Sequence, residues 1–590
     1  MKSFLTGLGV GIVFAALLGG VGGYLWVSAE GEIQERTEIT YATASAVTTR
    51  PDVKTHSEIF RRRTEEVSPG VHLAVGYGLA NVIVIDAPEG LILVDTLESI
   101  RAAEGLLPWI DGLRKSTGKE ITDIIFTHNH ADHVFGAGVF LEGQTTTPRV
   151  WAQAGTQGRV HEIINALAPV TFRRAMRMFG VYLPDEDFEN NGIGPRLLSD
   201  DQDGFFFLPP SDVVENRLEV KIAGESLILQ HAPGETDDHL AIFLVDRKIL
   251  LPADNYYHAF PNLYTVRGTP YRDPRKWAAS IDVMRTFGAE IMIPQHSQPV
   301  FGKDRIENQL RDYRDAIQFV YDQTIQMINA GLTPDEIAAQ IKLPPHLANA
   351  PYLQEFYGKV EYAARAVFSG TLGWFSGDPA ELDPVTGIRR ATLMAELAGG
   401  PEALAKAAGD ALDTEPAWAL MLATELMRLD VPEAQPLRAK ALRKLAAAET
   451  ASSARNYYLT AAAEAEGFTL PKPSFGPTPD EMINAIPIRN FVEILTLNLK
   501  ADRVLDRELS YGFDFTDAPP LTIRIRRGIA LLEDGLARDR IGALRTSTAN
   551  FRGIAIKRLD PAKLLLAGEI TSEGSILTMQ EFLAHFRPPV

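Results

Sequence analysis

Residues 64–303 are predicted to form a layered α/β fold, sheets covered by helices, and two observations carry this. Short apolar runs alternate with turn signals, and they are interleaved with stretches of helical periodicity. A third observation bounds the layered unit. Residues 304–470 read as an all-α helical domain; after the proline-rich 471–479, residues 480–590 return to a compact α/β pattern. A chain of 590 residues is long enough for each unit to bury its own core.

Residues 4–27 carry no charge, follow Lys2, and are long enough to cross a bilayer as a helix. The h-region of a cleavable signal is shorter, about 7–15 residues, whereas Val27-Ser28-Ala29 has the small side chains that a signal peptidase accepts. Residues 1–29 are therefore read as a transmembrane anchor or a signal peptide. The remainder is expected to be exported and periplasmic, anchored in the inner membrane by residues 4–27 if they are retained. The chain has no cysteine, so no disulfide is asked to hold it there. Residues 30–63 read as a polar connector. The net charge is −18 and the only basic cluster is Arg61-Arg62-Arg63, which argues against a nucleic-acid partner.

Within the layered unit, residues 81–86 and 91–95 flank Ala87-Pro88-Glu89-Gly90 and predict a β-hairpin. Helical periodicity follows over 100–113, then an apolar run over 121–126. Further strands are predicted over 218–222, 227–231, 240–245 and 249–251.

The run 121–126 delivers Thr127-His128-Asn129-His130-Ala131-Asp132-His133, three imidazoles and a carboxylate on one short loop. The His-x-His-x-Asp-His spacing lets His128 and His130 point one way and Asp132 and His133 the other. Such a loop can serve two metals about 3.5–4 Å apart, the separation used by two-metal hydrolases. Without cysteine the ligands are nitrogen and oxygen, which suits two Zn2+ per chain and also admits Mn2+ or Fe2+. Three further candidates follow apolar runs: Glu235, Asp254 and His296. With His128, His130 and Glu235 on one metal, Asp132, His133 and His296 on the other, and Asp254 between them, each metal gains three terminal ligands and a bridge. His239 and His258 lie nearby in sequence, but a lone histidine is more often a hydrogen-bonded structural residue.

These residues resemble the metallo-β-lactamase superfamily, and within it the alkyl sulfatases that act on long-chain and secondary sulfate esters. The superfamily usually has histidine where this chain has Glu235, and the alkyl sulfatases place glutamate there. The segment Asn262-Leu-Tyr-Thr-Val-Arg-Gly268 resembles their signature after the bridging acid. Leu372-Gly-Trp-Phe375 and Ala454-Arg-Asn-Tyr-Tyr-Leu459 resemble their helical domain. The resemblance implies an αββα metallo-β-lactamase sandwich, a helical dimerisation domain giving a homodimer, and a sterol-carrier-like C-terminal domain whose groove could hold an alkyl tail. It also implies a zinc-dependent sulfuric ester hydrolase acting on alkyl sulfates, with Asn262, Tyr264 and Arg267 contacting substrate.

Two divalent ions bring four positive charges against the three carboxylates Asp132, Glu235 and Asp254. A bridging hydroxide brings the site near neutral, so a sulfate monoanion needs a further donor. Arg267 can grip two sulfate oxygens with its planar fork, unless it pairs with Asp273 instead. Metal coordination lowers the pKa of water to about 7, which makes that hydroxide the expected attacker. The family's substrate-pocket histidine corresponds, in the context Tyr357-Gly-Lys-Val-Glu-Tyr362, to Tyr362, which becomes the candidate hydrogen-bond donor. Two other departures are Asp254 in place of the bridging glutamate and Pro261 in place of a histidine. Other expectations compete: hydrolysis of a phosphodiester, lactone or β-lactam, a lipid-binding envelope protein without activity, or a secondary-sulfate specialist that attacks carbon with inversion.

In the helical region Ile306, Leu310, Tyr313, Ile317, Val320, Tyr321, Ile325 and Ile328 predict one long helix ending at Gly331. Thr333-Pro334-Asp335-Glu336 starts the next with a capping box. Ala-rich helical pairs are predicted over 388–466. In the last unit, 480–499 reads as helix and 521–532 and 564–570 read as strands.

Overall fold

The computed structural model describes residues 40–45, 47–162, 167–200, 203–472, 478–556 and 558–587. The anchor or signal predicted for residues 1–29 lies outside the described residues, as does most of the predicted linker. Among the described residues no helix is long and apolar enough to cross a membrane.

Two sheets stack face to face. The first runs in sequence order through β1 (Arg63–Ser68), β2 (Val71–Val75), β3 (Val82–Ala87), β4 (Gly90–Val94), β5 (Ile121–Ile125), β6 (Arg149–Gln153) and β7 (Asp212–Val214). The second comprises β8 (Arg217–Ile222), β9 (Glu225–His231), β10 (Leu240–Leu244), β11 (Ile249–Leu251), β12 (Ile291–Met292) and β13 (Val300–Phe301), in the spatial order β13-β12-β11-β10-β9-β8. The predicted hairpin is β3 and β4, paired from Ile83↔Val94 to Ala87↔Gly90 around a tight turn at Pro88 and Glu89. From β4 onward the first sheet is parallel, and a parallel neighbour requires a crossover. The helix Ile100–Thr117 supplies it between β4 and β5.

Alternation along each strand decides which layer a side chain joins. Ile83 and Ile85 enter the core between the sheets with Ile92, Val94, Leu229, Ile242 and Leu251. Their neighbours Val82 and Val84 turn the other way, against Ala102, Leu106 and Ile110 of the crossover helix. Strands buried on both faces read as continuous apolar runs, as these do. On the far side Ile228, Ala241, Phe243 and Leu250 pack against Trp277, Ile281, Tyr313 and Ile317 from the helices Pro274–Arg285 and Lys303–Asn329. The result is an α/β/β/α sandwich.

The helix Lys303–Asn329 and the capping box at Thr333 and Glu336 match the sequence prediction. The Ala-rich segment forms the helices Gly387–Ala398, Pro401–Ala411, Pro416–Arg428, Ala434–Ala448 and Ser452–Ala465. In the C-terminal unit a five-stranded sheet of β14 (Glu508–Phe515), β15 (Leu521–Arg526), β16 (Ile529–Asp534), β17 (Ala543–Thr546) and β18 (Thr571–Glu573) encloses a separate apolar core.

Four expectations need correction. Residues 51–60 of the predicted connector are not loose: Pro51–Ser57 is helical, Val53 is fully buried, and the His56 ring stacks on Phe356 at 3.9 Å. The helix expected over 480–499 is two, Asp480–Ala485 and Ile488–Leu497, because Pro487 cannot continue the first. The run 521–532 folds back as the hairpin of β15 and β16, with Arg527 and Gly528 both at positive φ, the geometry that a tight two-residue turn demands. The strand expected over 564–570 is replaced by the helix Pro561–Leu566, which Asp560 caps and Pro561 opens.

Buried polar contacts join the helical region to the sandwich. Arg455, almost fully buried, donates to the Asp187 carbonyl and to the Thr49 hydroxyl, each at 2.7 Å. Asn456 donates to the Asn190 carbonyl. The family-like segment at 454–459 is thus a joint. Arg455→Ala should strip two charge-assisted hydrogen bonds and cost on the order of 2–3 kcal/mol. Its check is an earlier urea transition with earlier proteolytic release of the helical region, and an unchanged midpoint would refute the assignment.

Candidate metal centre

Every residue proposed as a ligand follows the C-terminal end of a strand. The histidine loop leaves β5, Glu235 follows β9, Asp254 follows β11 and His296 follows β12. The strands converge on one edge of the sandwich, which brings residues distant in sequence together. Three overlapping groups result: Asp132, His133 and His296; His130, Glu235 and Asp254; and His128, His239 and Asp254. Within each, the possible ligand atoms lie within 4.8 Å of one another. All seven predicted ligands meet there, and Asp254 belongs to two of the groups.

Distances give the arrangement its shape. Asp254 Oδ2 lies 3.1 Å from His296 Nε2, 3.4 Å from His133 Nε2 and 3.7 Å from His128 Nε2. His128 Nε2 and His130 Nδ1 are 3.0 Å apart. Asp132 Oδ2 lies 3.5 Å from both His133 Nε2 and His296 Nε2. Buried polar atoms normally find partners, yet His133 Nε2, Glu235 Oε2 and Asp254 Oδ1 have none. Orphaned lone pairs on nitrogen and oxygen, turned into one buried cluster, fit divalent metal ions and no protein group.

Electrostatics favours the ligating form at His128, His130 and Asp132 and not at every member of the cluster. Burial, followed by neighbouring positive groups, holds His128 and His130 well below the ordinary histidine value, so both imidazoles are neutral, the form that binds metal. Burial would also depress His133, but Asp254, Asp132 and Asp95 outweigh it and hold it well above. Burial would raise Asp132, which His133 and His296 instead pull down to about 2. Glu235 is pushed up to about 7 by burial, against the pull of Arg272.

A second layer orients these ligands. The Asp95 carboxylate lies 2.8 Å from His133 Nδ1 and accepts from the Thr127 amide and hydroxyl. Asp95 itself turns away from β4 at φ 61°, a left-handed conformation rare outside glycine. His296 Nδ1 donates to the Leu79 carbonyl at 3.0 Å, and the Leu79 amide donates to the buried Glu98 carboxylate. Burial pushes Glu98 up to about 7. A Cβ on Gly194 would stand 2.0 Å from the same Leu79 oxygen, so only glycine lets the chain pass there.

His239 joins the cluster, yet both its ring nitrogens are occupied: Nε2 accepts from the Asp254 amide at 3.1 Å, and Nδ1 lies 2.9 Å from the Thr236 hydroxyl. His258 is outside all three groups. Arg267 stands beside the cluster, with its guanidinium 3.2 Å from His130 Nε2. Asp273 does not pair with it, because Asp273 caps the helix Pro274–Arg285 and meets Arg275. The buried Asn262 holds an unpartnered side-chain Nδ2, and Tyr264 in the same segment is half-buried.

Tyr362 has different company: its neighbours are Tyr458, Glu449 and Glu361, and Lys359 lies 5.1 Å from its ring. Among the described residues it makes no hydrogen bond to the cluster. Tyr357, five positions earlier in the same motif, is buried where Glu235, Arg272, Arg267 and Asp132 set its electrostatic environment. Sequence reasoning also missed Arg272, which donates to Glu235 at 2.7 Å and to the Asn262 carbonyl at 2.6 Å. Nothing in the spacing marked Arg272 apart from Arg267, since burial alone separates them.

A sandwich with this ligand edge defines a metallo-hydrolase of the β-lactamase type, and comparison agrees. Residues 75–296 match the metallo-beta-lactamase superfamily and residues 333–467 match the alkyl sulfatase dimerisation domain. The chain is 35% identical over 524 residues to a linear primary-alkylsulfatase of Pseudomonas sp. (strain ATCC 19151), covering 85% of this chain and 98% of that protein. It is 29% identical over 538 residues to an (R)-specific secondary-alkylsulfatase of Pseudomonas sp., covering 88% and 80%. The solved structure of the stereoselective inverting sec-alkylsulfatase Pisa1 from Pseudomonas sp. superposes with a TM-score of 0.83 at 24% identity, over 98% of this chain and 96% of that one. The chain belongs to the alkylsulfatase family of the metallo-beta-lactamase superfamily.

Asp95 should matter without touching a metal. Asp95→Ala is expected to weaken divalent-metal retention about 10–100-fold, read by chelator competition, because the His133 ring loses the group that fixes its tautomer. Retention equal to the unaltered chain would remove Asp95 from the site.

Proposed function

We propose that this protein hydrolyses alkyl sulfate esters, R–O–SO3−, to an alcohol and inorganic sulfate at a dinuclear centre, with zinc as the expected metal. The observation that carries the reading is Arg267, set against His130 and unpaired with any carboxylate among the described residues. Glu235 and the relatives' activities support it.

His128, His130 and Glu235 would hold one metal, Asp132, His133 and His296 the other, and Asp254 would bridge. When bound, such a pair supplies Lewis acidity and a water acidified to a pKa of about 7. The protein supplies the rest. Arg267 offers a two-pronged grip on sulfate oxygens, and the Asn262 amide adds a donor that already lies buried and free. Arg272 donates to Glu235 and aims it through a buried pair, partly opposing the effect of burial. His239 holds the Asp254 backbone in place and is not assigned as a ligand. The donor to the departing alcohol is assigned to Tyr357 in place of Tyr362, on its proximity to Arg267 and Asp132.

The helical region is read as a homodimer interface. Support comes from the matched dimerisation domain and from Trp374, Ile388 and Leu397, which are 74%, 67% and 91% exposed. An apolar patch that a partner covers would account for their exposure. The C-terminal unit is read as sterol-carrier-like. Residues 4–27, uncharged and apolar, support export to the periplasm with an inner-membrane anchor or a cleaved signal.

Four measurements test these assignments. With zinc loaded, sulfate release from dodecyl sulfate should vanish in Asp132→Ala together with metal, whereas Arg267→Ala should keep both metals and raise KM by about tenfold or more, as loss of a charge-assisted pair of roughly 1.5–3 kcal/mol requires. Release that persists undiminished in Asp132→Ala sinks the site. Tyr357→Phe should lower kcat more than Tyr362→Phe does, and the reverse order would restore Tyr362. Hydrolysis in 18O water distinguishes attack at sulfur, with label in sulfate, from attack at carbon, with label in the alcohol. Trp374→Glu combined with Ile388→Glu should convert a dimer to monomer in analytical ultracentrifugation, and an unshifted dimer would place the interface elsewhere.

A further inference from the structure

We propose that a cavity of about 520 Å³ bordered by His258, Gln298, Arg305 and Tyr352 is a second anion site, outside the metal-ligand cluster, that takes a small tetrahedral oxyanion such as sulfate. The lining contains one cation, three side-chain amides, an imidazole and a phenol, and no carboxylate. Acidic residues outnumber basic ones by 76 to 58 in this chain, yet among the described residues none forms an ion pair with Arg305. Its side chain is exposed, so an anion from solution can reach it.

His258 and Gln309 can donate, whereas Tyr352 gives its only O–H to Asp312. His258 Nδ1 is buried without a hydrogen-bond partner. Burial first, and the charge of Arg305 second, depress this imidazole to about 4, so at neutral pH it is uncharged and presents one N–H. Gln309 spends its carbonyl oxygen on the Tyr256 hydroxyl at 2.7 Å, which leaves its NH2 as the free end. The nearby Asp312 is already engaged by the Tyr352 hydroxyl at 2.6 Å and by Arg311. Arg305, Asn308 and Gln309 stand in the first two turns of the helix Lys303–Asn329, whose N-terminus has no side-chain cap and is the positive end of its dipole. A guanidinium fork with amide donors matches the several oxygens of a tetrahedral anion better than a lone carboxylate.

The cavity is also placed to matter. His258 continues the loop that carries Asp254, and Gln298 continues the loop that carries His296. An anion held there would brace the backbone of both.

The test uses the full zinc-loaded chain and two probes. In crystals soaked with selenate, which is isosteric with sulfate and visible by anomalous scattering, a peak is expected between Arg305 and His258 and is expected to be lost in Arg305→Gln. In solution, equilibrium dialysis with radiolabelled sulfate should show one fewer equivalent bound in Arg305→Gln than in the unaltered chain. Arg267→Ala should retain that equivalent, which separates this site from the proposed substrate anchor. An unchanged urea unfolding transition in Arg305→Gln serves as the control for folding. Equal sulfate binding in Arg305→Gln and the unaltered chain, or a selenate peak that survives the substitution, overturns the proposal.

Discussion

The structure depends on keeping a crowd of imidazoles and carboxylates dry. Asp254 is buried with three histidine rings within 3.7 Å of its Oδ2, and an isolated carboxylate there would cost several kcal/mol. Compensation comes from the neighbours. Asp95 steadies His133, the Leu79 carbonyl steadies His296, and Arg272 offsets Glu235. Each supporter is itself buried and bound, so the cluster is the inner shell of a larger polar network. A network of this kind is stabilising only when its members are satisfied, which is why the unpartnered atoms are informative. They converge where metal ions would sit.

The sandwich makes such crowding possible. Strands buried on both faces spend their side chains on packing, and chemistry is left to the loops at their ends. The crossover between β4 and β5 puts Asp95 beside Thr127, and the pairing of β11 with β12 puts Asp254 beside His296. The helical region and the C-terminal unit then attach through separate contacts. Arg455 and Asn456 tie the first to residues 187–191, and the Phe205 amide donates to the Thr478 hydroxyl at the second. These joints lie away from the ligand edge, which the helical region reaches through Tyr357, and large apolar side chains stay exposed on its helices.

Much of this was legible in the residues. The His-x-His-x-Asp-His loop stands out because short-range spacing reports ligand geometry directly, and Glu235, Asp254 and His296 stand out because each ends an apolar run. The strands of the sandwich and the long helix from Lys303 follow from periodicity. Where reading failed, it failed locally and for physical causes. The run 564–570 is apolar enough for a strand, but the Asp560-Pro561 start signal outweighs it. The run 521–532 reads straight through Gly528, where Arg527 and Gly528 at positive φ make the two-residue turn.

The sequence by itself pointed to the seven residues that the fold gathers into one cluster, the layered α/β class and the helical middle. Those properties live in residue type and in spacing along the chain. Tertiary structure alone decided that Arg272 guards Glu235 while Arg267 faces His130, that His239 supports and His258 stands apart, and that Tyr357 displaces Tyr362 beside the cluster. In each pair the residues are alike in chemistry and close in sequence. What separates them is burial and the direction of a side chain, quantities that exist only once distant strands have packed.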